Sequence, residues 1–138
     1  MSSRPRSEGV APAGRILDLT IERLREVLAR HDVLIIVFYA DWCTPCRSFR
    51  ETLAAAAEEH RDVGFALVDV ERQVELAKAF QVGAVPKIAM LRSGAMVFSH
   101  EGELTDEALT DLVEQVRRLD MAELRRTAAQ RTGRDDGH

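Results

Sequence analysis

Two cysteines, Cys43 and Cys46, stand in the run Trp42-Cys43-Thr44-Pro45-Cys46 and make up the whole thiol complement of the chain. A thiol attacks a disulfide only as its thiolate, and an unperturbed cysteine, with a pKa of about 8.5, is mostly protonated at neutral pH. Such a pair needs surroundings that favour an anion. Cys43 falls where a strand-like run ends and a helix-like stretch begins, so unpaired helix amides and the positive end of the dipole meet it there. Cys46 lies one turn further on, close enough to attack a mixed disulfide at Cys43 and release the other half. Pro45 suits a first helical turn, where its missing N–H has no partner to lose. The rival chemistry is zinc binding. A structural zinc takes four ligands, yet His31, His60, His100 and His138 show no H-x₃₋₅-H spacing and there is no second cysteine pair. That leaves only a zinc shared between two chains, and no metal is expected.

A second feature is Val85-Pro86, a proline just ahead of an apolar run, an awkward place for a residue without an N–H. Only X–Pro bonds adopt cis at modest cost. Sequence physics by itself favours an ordinary trans turn here.

The surrounding pattern supplies the elements that position these residues. Arg15 to Leu19 reads as a short edge strand, and Thr20 as the N-cap of a helix running to about Arg30, with Ile21, Leu24, Val27 and Leu28 on one face. Val33 to Tyr39 is apolar at nearly every position, as a central strand covered on both faces must be. A helix from about Thr44 to His60 follows, with Phe49, Leu53, Ala56 and Ala57 inward and Arg47, Arg50, Glu58 and Glu59 toward water. Gly64 to Val70 is the next strand, giving a parallel βαβ unit. A helix from about Arg72 to Phe80 leads to Val85-Pro86. Lys87 to Leu91 and Ala95 to Ser99, split by Arg92-Ser93-Gly94, form a hairpin. Thr105 caps a last helix, with Leu104 and Leu109 as its hydrophobic staple. The order is βαβαβαββα, an α/β protein with a central mixed sheet of about five strands flanked by about four helices.

The chain has 138 residues, enough for one domain with a real core. Residues 15–120 read as that domain and 1–14 as a flexible tail. Residues 121–138 read as an extension, helical in period through Leu124 and Ala128 and then disordered. At 46% hydrophobic and 30% charged residues the composition is that of a globular protein, and a net charge of −4 argues against a nucleic-acid partner. The longest apolar run, Val33 to Ala40, is far short of the roughly 20 residues of a membrane helix. The N-terminal tail has no apolar signal-peptide core. A cytoplasmic monomer is expected, and in a reducing compartment an isolated C-x-x-C points to redox chemistry.

The run from Ile36 to Cys46, with Val85-Pro86 some forty residues later and glycines at 94 and 102, resembles the thioredoxin family from about Ile16 to Leu119. The resemblance implies a thioredoxin fold, with Cys43 the exposed nucleophile and Cys46 the resolving thiol. It also implies a cis Val85–Pro86 bond packed on the pair. Trp42, Thr44, Pro45, Val85, Pro86 and Gly102 would then contribute to the surface that docks substrate proteins. No bound cofactor is implied beyond the redox-active disulfide. The implied partners are disulfide-containing client proteins and a flavin- and NADPH-dependent thioredoxin reductase.

The chain also departs from the family pattern. Val37 stands where the family buries an acid beneath the cysteines, and Leu67 where a lysine accompanies it. That change deprives Cys46 of its usual proton acceptor and implies slow resolution unless another group substitutes. Glu51 replaces a helix-kinking proline, and Thr44 replaces a glycine between the cysteines. Two functions fit best, a reductant of protein disulfides or a binding subunit or chaperone on the same fold with secondary redox activity; a third, an oxidant or isomerase, is disfavoured only by the lack of a signal peptide.

Overall fold

The computed structural model of the chain describes residues 16–126. The elements are β1 (Ile16–Asp18), a 3₁₀ turn (Ile21–Arg23), α1 (Leu24–Arg30), β2 (Val33–Tyr39), α2 (Thr44–Glu59) and β3 (Gly64–Asp69). They continue with α3 (Val74–Ala79), β4 (Lys87–Arg92), β5 (Ala95–Glu101) and α4 (Asp106–Arg117). Residues 121–126 are helical again. The N-terminal tail, Arg15 and the rest of the extension lie outside the described residues.

The sheet runs β1-β3-β2-β4-β5. Strand β2 pairs parallel with β3 and antiparallel with β4, and β3 pairs parallel with β1. Alternate residues of a strand point to opposite faces, which explains why β2 is apolar throughout. Val33, Ile35 and Val37 pack with Phe49 and Leu53 of α2 and Leu109 and Val113 of α4. Leu34, Ile36 and Phe38 pack with Val27 of α1 and Leu76 of α3 on the other side. Both faces of the central strand are therefore sealed, and its C-terminal end is fixed at the point where α2 begins.

Local chemistry sets most element ends. Ser93 and Gly94 join β4 to β5 with φ of 53° and 83°, positive values at both central positions as a tight two-residue hairpin requires. For Ser93 that conformation is unusual. Its amide and hydroxyl both bond to Asp32, at 2.7 Å each, and hold it there. Thr105 caps α4 by accepting the Ala108 amide at 3.1 Å, and Leu104 packs on the core that contains Leu109. Arg92 reaches back to the end of α4, donating to the carbonyls of Val116, Arg117 and Leu119 while pairing with Asp32.

Several element ends shift by one or two residues, α3 starting at Val74 and β5 running on to Glu101, and one boundary differs in kind. Thr20 makes no side-chain capping bond, and the α-helix proper starts only at Leu24, after the 3₁₀ turn. The Ile21 amide is satisfied by Gln73 Oε1 at 3.2 Å, an acceptor brought by the segment before α3. Ile21 is accordingly exposed rather than on the buried face.

The bond from Ser93 above all, with further help from Arg92, holds the Asp32 carboxyl below its ordinary range against the opposing effect of burial. A carboxyl with a depressed folded-state pKa stabilises above its unfolded value and loses that contribution as pH falls through the folded one. Asp32→Asn is therefore expected to lose less stability than the parent between pH 7 and about pH 3. Urea unfolding at the two pH values measures it, and equal losses would show that the Asp32 contacts contribute nothing to the acid limb.

Candidate active site: the cysteine pair at the start of α2

Strand β2 ends at Tyr39 and the chain turns at once, with the Cys43 amide donating to the Ala40 carbonyl at 3.1 Å. Cys43 is the N-cap of α2, in extended backbone at φ −85° and ψ 110°, with Pro45 in the first turn. Its Sγ accepts the Cys46 amide at 3.2 Å. That is the bond a serine or aspartate N-cap makes, made here by sulfur. In the reduced protein the same amide and the helix dipole favour negative charge on Cys43. Cys43 and Cys46 are joined as a disulfide, with 5.2 Å between their Cα atoms.

The structure corrects one expectation. Cys43 is not exposed: both cysteines are about 3% accessible. The cause is the packing of Ala40, Tyr39, Val70 and Val85 around the pair. Trp42, by contrast, is 67% exposed, which excludes a core role, and its Nε1 donates to Glu71 Oε2 at 3.1 Å. Thr44 and Pro45 are exposed beside it.

The Val85–Pro86 peptide is cis, as the resemblance implies and as sequence physics alone does not. Val85 packs on the cysteines. The Pro86 carbonyl accepts the Gly102 amide at 2.7 Å, and Gly102 has φ 104°, a value side chains resist. Trp42, Cys43, Thr44, Pro45 and Cys46 thus share one turn, Val85 closes on it, and Gly102 is tied to Pro86.

Val37 is buried and lies opposite Leu67 in the β2–β3 register, both within the apolar core of the α2 face. Beside Cys46 a cleft of about 290 Å³ opens, lined by Tyr39, Ala40, Asp41, Cys46, Arg47 and Arg50. The Arg50 guanidinium sits over the Tyr39 ring, 4.5 Å from its centre. Burial first of all, and then Asp69, Asp18 and Asp41, push the Tyr39 hydroxyl up, while Arg50 opposes them. Glu51 lies within an uninterrupted α2.

Sequence reasoning assigned Arg50 only to the solvent face and gave Lys87 no role. Lys87 is buried, and its Nζ donates to the carbonyls of Phe80 (2.9 Å) and Gln81 (3.3 Å), closing the end of α3 just before the proline loop. The usable signal for Arg50 was its spacing of four from Cys46, which puts the two on one helix face. Lys87 left no such signal, because its acceptors are backbone atoms. Among the described residues no group of three or more His, Cys, Asp or Glu is placed to hold a metal, and no helix is long and apolar enough to cross a membrane.

A sulfur pair that opens and closes at the N-terminus of a helix, against a cis proline, defines a class: the thiol–disulfide oxidoreductases. The family model described as Thioredoxin matches residues 15–115, and on that match the chain belongs to the thioredoxin family. It is 38% identical over 114 residues to a protein described as putative thioredoxin 2 of Streptomyces coelicolor, covering 83% of this chain and 85% of that one. It is 31% identical over 96 residues to a thioredoxin of Mycoplasma pneumoniae, 70% of this chain and 94% of the relative. A solved thioredoxin mutant from Halobacterium salinarum superposes with a TM-score of 0.72 at 32% identity, over 77% of this chain and 94% of the other. The chain is a protein thiol–disulfide oxidoreductase of thioredoxin fold, acting on disulfide-containing substrates through a redox-active pair.

Proposed function

We propose that the chain works in the reducing direction, with Cys43 as nucleophile and Cys46 as resolving thiol. Reduced Cys43 attacks a protein disulfide and forms a mixed disulfide. Cys46 then displaces the client sulfur and leaves the pair oxidised. The observation that carries the reading is the sulfur N-cap: Cys43 Sγ already accepts the amide that would stabilise its thiolate. Its likeness to proteins described as thioredoxins supports the direction. In this reading Trp42, Thr44, Pro45, Val85, Pro86 and Gly102 form the docking surface. A flavin- and NADPH-dependent reductase returns the pair to dithiol without a cofactor bound to this chain, which works as a monomer in the cytoplasm.

Two measurements test it. The reduction potential, set by equilibration with glutathione buffers, is expected near the roughly −270 mV of thioredoxin; a value above about −180 mV would make the protein an oxidant or isomerase. Cys46→Ser is expected to trap a varied set of clients on Cys43 as mixed disulfides. The apolar Val37–Leu67 pair favours a second reading, in which the same surface binds a partner and redox turnover is secondary. That reading gains if nothing is trapped while a partner still co-purifies with the Cys43→Ser, Cys46→Ser double variant.

A further inference from the structure

Cys46 must lose its proton before it can attack, and the acid and lysine that the family pattern places for that task are absent from the sheet. Val37 is buried there, and Leu67 faces it across the β2–β3 register. What borders Cys46 is a solvent-open cleft whose wall includes Arg50. The two residues are four apart on α2, neighbours on one face with about 5–6 Å between Cβ atoms. Arg50 is held at that wall by the Tyr39 ring, 4.5 Å below its guanidinium, a contact that favours a fixed cation. Arg47 is engaged at the preceding turn, where its Nη2 donates to the Asp41 carbonyl at 3.0 Å.

We propose that Arg50, stacked on Tyr39, favours the thiolate of Cys46 and so takes over the task of the acid–lysine pair that Val37 and Leu67 replace. The proposal rests on the reading of Cys46 as the resolving thiol. The Cys46 proton leaves to water in the cleft. The thiolate attacks Cys43 Sγ of the mixed disulfide, and the Cys43–Cys46 bond forms as the Cys43–client bond breaks. The client sulfur departs with the electron pair and takes a proton from water, so the client is reduced and the pair oxidised.

The other charges facing this place are few and mostly of opposite sign. Asp41 and Arg47 line the same cleft. Asp18, Asp69 and Arg72 line the adjoining one, which Tyr39, Asp41 and Arg50 also border. Asp69 is engaged by the amides of Glu71 and Arg72 and by the Arg72 guanidinium at 3.8 Å. Removing Asp41 should therefore act on Cys46 in the sense opposite to removing Arg50.

The test is a thiolate titration of Cys46, by absorbance at 240 nm, in a Cys43→Ser background at low salt. Arg50→Gln is expected to raise the midpoint by about one pH unit, the lower end of the effect of a nearby opposite charge. Arg50→Lys should stay close to the parent, Asp41→Asn should move the midpoint down, and about 1 M salt should narrow the differences. With both cysteines present, resolution of a glutathione mixed disulfide on Cys43 should be about threefold slower in Arg50→Gln at pH 7. At pH 10 it should be about twofold faster, because a more basic thiolate is the better nucleophile. That crossing separates charge from structure, since an arginine that only props the helix lowers both rates. A midpoint unmoved by Arg50→Gln, or moved as far by Arg50→Lys, overturns the proposal. The titration needs no client, so its failure is distinct from a failure of the reductant reading, which the trapping experiment decides.

Discussion

Cys43→Ser is expected to bring reduction of a protein disulfide down to the uncatalysed rate, with the fold intact. The two halves of that expectation have the same origin. Cys43 is the N-cap of α2, and its sulfur accepts the Cys46 amide. Serine is among the best N-caps, so the helix start survives the exchange. A hydroxyl, however, is not ionised near neutral pH and cannot replace a thiolate in exchange chemistry. Cys46→Ser should behave differently, keeping the first attack and stopping there. Reduced parent protein should release two equivalents of chromophore from a chromogenic aryl disulfide, and Cys46→Ser one, with the second left on Cys43. Cys43→Ser should react slowly, because Cys46 lies one turn inside the helix rather than at its N-cap. Substantial turnover by Cys43→Ser would transfer the nucleophile to Cys46 and undo the assignment.

Phe49→Ala should be strongly destabilising, because Phe49 joins the site to the sheet. It lies three residues beyond Cys46 on α2, about 1% exposed, in the same buried cluster as Val37, Ile88 and Leu109. Truncating a buried phenylalanine costs about 3–5 kcal/mol in lost transfer energy and residual cavity. Against a total stability of about 5–15 kcal/mol that is a large share. The melting temperature is expected to fall by roughly 15–25 °C in a domain of this size, as read by circular dichroism. A fall of only a few degrees would mean that α2 is held to the sheet chiefly by other residues.

The sequence made most of the architecture legible because each strong pattern has a single physical reading. A seven-residue run apolar at successive positions and rich in β-branched and aromatic residues favours a strand covered on both faces, and β2 is that strand, with one helix pair on each side. Thr105 and Gly94 are local devices whose partner or backbone angle lies within a few residues, and both act as their residue types require, whereas Ser93 is held at its positive φ by the distant Asp32. Thr20 failed for the converse reason. The atom that satisfies the start of that helix is on Gln73, far away in sequence.

The site divides along the same line. Residue order alone determined that the only two thiols open a helix behind a buried strand, and hence what chemistry they can perform, because strand end, helix start and proline position are all local. Tertiary structure decided the rest. It buried Cys43 under Val70 and Val85, set Trp42 out in solvent on Glu71, and tied Gly102 to the Pro86 carbonyl. It also laid Arg50 on Tyr39 at the mouth of the cleft beside Cys46. Each of these depends on groups distant in the chain or on where a flexible side chain comes to rest. A thiolate is stabilised by whatever charge lies near it in space, and folding alone fixes that distance.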